Sequence, residues 1–122
     1  MSKTRSSDAL FRSLERWLLQ FPQVTQAPHK LGGVEFRVHG LGFMHSHSSS
    51  VLDIRLSKND QALALGEGRA QHHRADVHHK EGWVSFRIEN EKDVEGAKEL
   101  IRLAYNNARK RLLLSDTQEN EL

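Results

Sequence analysis

Residues 34–56 read VEFRVHGLGFMHSHSSSVLDIRL. In the first part Val34, Phe36 and Val38 alternate with Glu35, Arg37 and His39, the period of a strand with one apolar and one polar face. Gly40 and Gly42 interrupt the run, so the segment LGFMHSH is expected to return antiparallel across a turn between them. After three serines, VLDIRLS alternates again, with Leu52, Ile54 and Leu56 on one side and Asp53 and Arg55 on the other. Three short strands that share one apolar face describe an antiparallel sheet with a layer packed on one side only.

The flanks supply that layer. Leu10, Phe11, Leu14, Trp17, Leu18 and Phe21 recur at helical spacing between Ser6–Ser7 and Pro22, which predicts an amphipathic helix with Trp17 in its apolar stripe. A loop containing Pro28 and the pair Gly32–Gly33 leads to the first strand. Beyond the third strand, Ser57 followed by Asp60 predicts a capped short helix through Leu65, stopped by Gly66 and Gly68. The segments ADVHH (75–79) and GWVSFRI (82–88) read as a further antiparallel pair, with Val84, Phe86 and Ile88 opposite Trp83, Ser85 and Arg87. Asn90 as N-cap, with Glu91 and Asp93 in the first turn, opens a last helix with the stripe Val94, Ala97, Leu100, Ile101, Ala104, Tyr105 and Ala108. The expected fold is α+β, a single-layer antiparallel sheet of about five strands with helices on one face, in the order α-β-β-β-α-β-β-α. Residues 1–113 form one domain in this reading, and 114–122 a polar C-terminal tail.

Composition narrows the chemistry. The 122 residues suffice for one core, and the absence of cysteine excludes disulfides, thiolate metal sites and a cysteine nucleophile. No apolar run approaches the roughly eighteen residues of a membrane span, which points to a cytoplasmic protein that does not engage membranes. With a formal net charge of +2, the chain lacks the field of a strong nucleic-acid binder. The basic run Arg109, Lys110 and Arg111 suits the negative end of the last helix.

If the apolar residues face the helices, then Glu35, Arg37, His39, Asp53, Arg55, Trp83, Ser85 and Arg87 share the opposite face. A tryptophan turned toward water lines a groove, an interface or a pocket wall. His45 and His47, two apart on a strand, point to one side with about 7 Å between their Cα atoms, a spacing that suits two groups gripping one substrate or one metal. Placing Gly42, Met44 and Ser46 inward puts both histidines on the polar face. All eight histidines lie between residues 29 and 79, and the pairs His72/His73 and His78/His79 precede the strand that carries Trp83. His45, His47 and Asp53 with one later histidine would complete a metal's ligand set, although no zinc or calcium signature motif is present. GEGRAQ ends a helix rather than opening one after a strand, which argues against a phosphate loop. A Ser/His/Asp triad can be drawn from Ser48 to Ser50, His47 and Asp53, but no nucleophile elbow supports it.

The order of these elements resembles a known family. A helix, then GGVEFRV, then His-x-His with Asp six positions on, then AQHH, GWVSFRI and EKDVEGAKELIRLAY is similar to small bacterial proteins of unknown function that share a domain with the fungal luciferase. The similarity spans roughly residues 8–109 and places Glu35, Arg37, His45, His47, Asp53, His72, His73, Trp83, Ser85, Phe86 and Tyr105 at matching positions. This chain departs from the family pattern in having Met44 where glycine usually precedes the first histidine, and IRLSK where a proline usually follows the aspartate's strand. The resemblance implies a cofactor-independent oxygenase, in which oxygen adds to an electron-rich hydroxypyrone and the peroxide formed is decarboxylated. Such chemistry needs a base and polar groups that hold the enolate in a dry pocket.

The expectation is therefore a luciferase-like domain that binds a small organic molecule in a His-lined pocket, with His45, His47, Asp53 and His72 as the catalytic set. Glu35, Arg37, His73, Trp83 and Ser85 would bind substrate, with no cofactor and no metal. Whether the chain is an enzyme stays open in the sequence. The alternatives are a non-enzymatic module that uses Trp83 and the arginines to bind protein or single-stranded nucleic acid, and a metal-binding protein with the same histidines as ligands. A homodimer through the Trp83 strand is a further option.

Overall fold

The computed structural model of the chain describes residues 7–29, 33–73 and 79–121. Its elements in chain order are α1 (Ser7–Leu18), β1 (Val24–Pro28), β2 (Val34–Val38), β3 (Leu41–Ser48), β4 (Val51–Arg55), α2 (Lys58–Gly66), β5 (Gln71–His72), β6 (Trp83–Arg87) and α3 (Glu91–Glu121). The class is α+β: among the described residues, one open antiparallel sheet of six strands in the order β1-β2-β3-β4-β6-β5 packs with the three helices just named. The first four strands form a meander. After α2 the chain passes to the far edge as β5, and β6 then inserts between β5 and β4.

Strand β1 occupies part of the segment expected to be a loop. Two prolines bracket it, and proline is tolerated there because β1 is an edge strand with a free ladder side. At the opposite edge β5 is only two residues long, and of the strand expected at 75–79, residues 75–78 lie outside the described residues. The last helix continues past residue 113 to Glu121.

Three local devices set the register. His39 and Gly40 both take positive φ, 51° and 80°, so the turn between β2 and β3 is a two-residue type whose twist matches the strands, and Gly42 lies within β3. Ser57 Oγ accepts the backbone N–H of Asp60 at the start of α2, and Asn90 Oδ1 accepts that of Asp93 at the start of α3. Gly82 has a φ of +103° and passes so close to β4 that a Cβ there would lie 2.0 Å from the Leu56 carbonyl oxygen. This close approach lets Leu56 N–H bond Gly82 O and starts the β4–β6 ladder, which carries Trp83 and Ser85.

The core lies between the sheet and the helices α1 and α3. Phe36, Met44, Ile54 and Val84 are paired across four strands, and all are fully buried. Leu10, Leu14 and Leu18 of α1, with Val94, Ala97, Leu100, Ile101, Ala104, Tyr105 and Ala108 of α3, close over them. Each large aliphatic side chain buried here contributes about 1.5–3 kcal/mol. Trp17 is only partly buried at the edge of this layer, edge-on to Phe21 and beneath Lys98 and Arg102.

Candidate functional site

Residues paired directly across an antiparallel sheet point to the same face. Glu35 pairs with His45, His45 with Asp53, Asp53 with Ser85 and Ser85 with Gln71, so one polar row crosses five strands on the face away from the helices. The row arises from strand alternation and register alone, and Asp53 stands at its centre.

Two irregularities in β3 aim the histidines. The pairing skips Phe43, since Phe36 lies opposite Met44 and Arg37 opposite Gly42. This bulge lets Phe43 and Met44 both enter the core, Phe43 against the Tyr105 ring, while His45 keeps to the outer face. A second shift skips His47, because Ser46 faces Leu52 and Ser48 faces Val51. Freed from the regular pleat, the His47 imidazole turns back onto Asp53.

Three imidazoles converge on a single carboxylate oxygen. His45 Nε2 lies 2.7 Å and His73 Nε2 3.1 Å from Asp53 Oδ2, and His47 Nε2 makes a short hydrogen bond to the same atom. Ser85 Oγ donates to the other oxygen, Oδ1, at 3.0 Å. Asp53 is 1% exposed, and His45 and His73 are also buried, whereas the His47 side chain is 44% exposed and forms the open side of the group. Burial pushes the Asp53 carboxyl up, but hydrogen bonds from His45 and His47 and the charge on those rings outweigh it. Its pKa falls well below the usual carboxylate range, so the group is an anion at neutral pH.

Aromatic and polar walls surround the cluster. Trp83 is 8% exposed and tilted against the His45 ring at 4.9 Å, so it lines the site as a buried wall; the expectation of an indole turned to water is corrected by this packing. His29 stacks on His45 at 4.3 Å. Burial and the neighbouring His45 lower the pKa of His29. Glu35 lies beside Gly42, where a Cβ would come 2.6 Å from its Oε1, and is held by the Arg37 guanidinium.

His72 and His73 part company. His72 pairs with Val84 on β6, stacks on His79 at 3.7 Å, and has Nδ1 3.0 Å from the carbonyl oxygen of His73; it does not join Asp53. His73 follows the end of the two-residue strand and reaches the carboxylate. His78 lies outside the described residues. Ser48 and Ser50 bond one another in the turn between β3 and β4, so the serine run serves as a turn.

Gln61 has no counterpart in the sequence reading. Its buried side-chain amide donates to the carbonyl oxygens of His79 and Trp83, at 2.8 and 3.1 Å, and thereby ties α2 to the start of β6. A polar residue on the inner side of a short capped helix was the available signal. His29 escaped because the strand before it was read as a loop; the β-branched pair Val24–Thr25 between two prolines was the sign of an edge strand.

A profile of the Luciferase domain matches residues 40–104, more than half of the chain. The chain belongs to the Luciferase domain family. The span that identifies this Luciferase domain contains His45, His47, Asp53, His73, Trp83 and Ser85, while Glu35, Arg37 and His29 precede it. A search of curated proteins finds none that matches the chain. Among the described residues of this Luciferase-domain chain, no helix is long and apolar enough to cross a membrane.

Proposed function

We propose that the outer sheet face around Asp53 binds a small organic molecule with an acidic, enolisable ring, and that the domain promotes the addition of molecular oxygen to it without an organic cofactor. The observation that carries this reading is the buried carboxylate encircled by three imidazoles, one of them half-exposed. A sheet face that served packing alone would gain nothing from a desolvated anion, whose burial costs several kcal/mol before its partners offset it. Concentrations of buried, mutually bonded titratable groups are characteristic of reactive sites.

Each part then has a role. His47, at the open side, takes the substrate's acidic proton, and Asp53 orients its ring and stabilises the imidazolium. Arg37, 41% exposed at its side chain and paired with Glu35, would attract the enolate oxygen. The half-buried His29 ring, stacked on His45, and the exposed edge of Trp83 would give the ring of the ligand a small apolar surface. Burial of Trp83 favours a small ligand over single-stranded nucleic acid, which needs exposed aromatic platforms.

The test is oxygen uptake and ligand binding by the purified chain across a panel of hydroxypyrones and related enolisable rings. Wild type is expected to bind at least one member and consume oxygen with it, and His47→Ala to lose turnover by about 10²-fold or more. Failure of every ring to bind, or turnover unchanged in His47→Ala, would overturn the reading.

A further inference from the structure

The four groups at the centre of the site have a second property, independent of proton transfer. The ligating atoms of His45, His47, Asp53 and His73 all lie within 4.8 Å of one another. We infer that His45, His47 and His73, through Nε2, and Asp53, through Oδ2, form a binding site for one divalent first-row transition-metal cation. The inference rests on the placement of the reactive centre proposed above; with the ion bound, His47 Nε2 is a ligand and no longer bonds Asp53, so the role of His47 as base belongs to the ion-free state.

The donor set carries the argument. Three imidazole nitrogens and one carboxylate oxygen suit zinc, iron(II), cobalt or manganese, and calcium and magnesium poorly, since those prefer oxygen alone. A cation with bonds of about 2.0–2.2 Å holds its ligand atoms roughly 3–3.5 Å apart, between the present Nε2–Oδ2 separations of 2.7 and 3.1 Å and the 4.8 Å that bounds the whole set, so small movements of the rings about Oδ2 would admit one. All three histidines turn the same ring nitrogen, Nε2, to a common point, although they come from a regular strand position, a bulge and a strand end. Three unrelated backbone settings that agree on one point indicate a built site.

The outer contacts fit at Asp53, while His45 Nδ1 is buried and has no hydrogen-bond partner among the described residues. Ser85 donates to Asp53 Oδ1 and leaves Oδ2 directed at the imidazoles, the kind of outer contact that orients a metal-bound carboxylate. His45, Asp53 and His73 are buried, so the bound ion would be shielded on the sheet side. The exposed flank at His47 would leave a coordination position for water or for the enolate oxygen of a ligand.

The chain is stripped with chelator and titrated with Co²⁺ and Zn²⁺, following the visible ligand-field bands of cobalt, calorimetric stoichiometry and thermal melting. Wild type is expected to take up one equivalent of either ion, give cobalt bands of a low-coordinate nitrogen–oxygen site, and melt at a higher temperature with metal present. His73→Ala and His45→Ala, each checked for folding by circular dichroism, should bind at least about tenfold more weakly, while His72→Ala binds as wild type does. If a variant fails to fold, the melting shift and stoichiometry of wild type still decide. No stoichiometric uptake by folded wild type, or wild-type affinity in both His45→Ala and His73→Ala, would overturn the inference. Oxygen uptake by stripped protein that binds no metal would do the same and leave the small-molecule reading standing; metal uptake with no ring bound would sustain the site and sink that reading.

Discussion

At the scale of single residues, Asp53 organises the site and Ser85 holds it in place. A hydrogen bond to an ionised acceptor contributes about 1.5–3 kcal/mol, whereas a half-buried turn serine away from such features matters by less than about 0.5 kcal/mol. Ser85→Ala is therefore expected to lower unfolding free energy by about 1.5–3 kcal/mol in urea titration, and Ser49→Ala, in the turn, to leave it nearly unchanged. Equal effects of the two would mean that the Ser85–Asp53 bond adds nothing to stability. Gln61 acts on the site through backbone: its loss leaves the buried Trp83 carbonyl oxygen without this donor, at about 1–3 kcal/mol, while His79 O keeps the Gly82 N–H and Lys58 Nζ, and so loosens the segment that positions Trp83. His45, His47 and Asp53 were legible as a group because strand alternation put Asp53 on the polar face, and a two-residue spacing put both histidines there with it. The separation of His72 from His73 was not legible, since it depends on the register of β5, in which Gln71 lies opposite Ser85. Alternation then turns His72 away from the Asp53 face and brings His73 back to it, whereas a shift of one residue would have exchanged the two.

At the scale of elements, glycines and caps decide the register. Gly82→Ala forces a side chain into positive φ and against a backbone carbonyl, which cannot move without opening the β4–β6 ladder. Strain of this kind costs at least about 1–3 kcal/mol. Gly42→Ala meets only the far end of the Glu35 side chain, which can swing aside. The expected result is a clearly lower melting temperature for Gly82→Ala and a small change for Gly42→Ala, read by circular dichroism; the reverse order would refute this account of the two close approaches. Asn90→Ala should cost about 0.5–2 kcal/mol by removing the cap of α3, measured by chemical denaturation. Both helix caps were readable because a cap is a local arrangement of a few adjacent residues. The two bulges of β3 were not, because a bulge exists only relative to the partner strand.

At the scale of the whole molecule, the sheet separates two jobs. One face meets α1 and α3 and supplies stability; the other carries the Asp53 cluster. A core truncation such as Leu100→Ala should cost about 2–5 kcal/mol, yet at temperatures where the variant stays folded its affinity for metal or ring ligand should match wild type. Parallel titrations of the two proteins at low temperature check this, and a matching loss of affinity would show that the faces are coupled. The sequence by itself determined the class of fold, the apolar stripes of the first and last helices, the helix caps and the polar face of the central strands, because each follows from a period or a spacing within one segment. Only the tertiary structure decided that β1 adds an edge strand, that His29 stacks on His45, and that His73 rather than His72 reaches the carboxylate. It also decided that Trp83 is a buried wall. Those outcomes depend on strand order, bulges and distances between segments up to dozens of residues apart, and no local pattern encodes them.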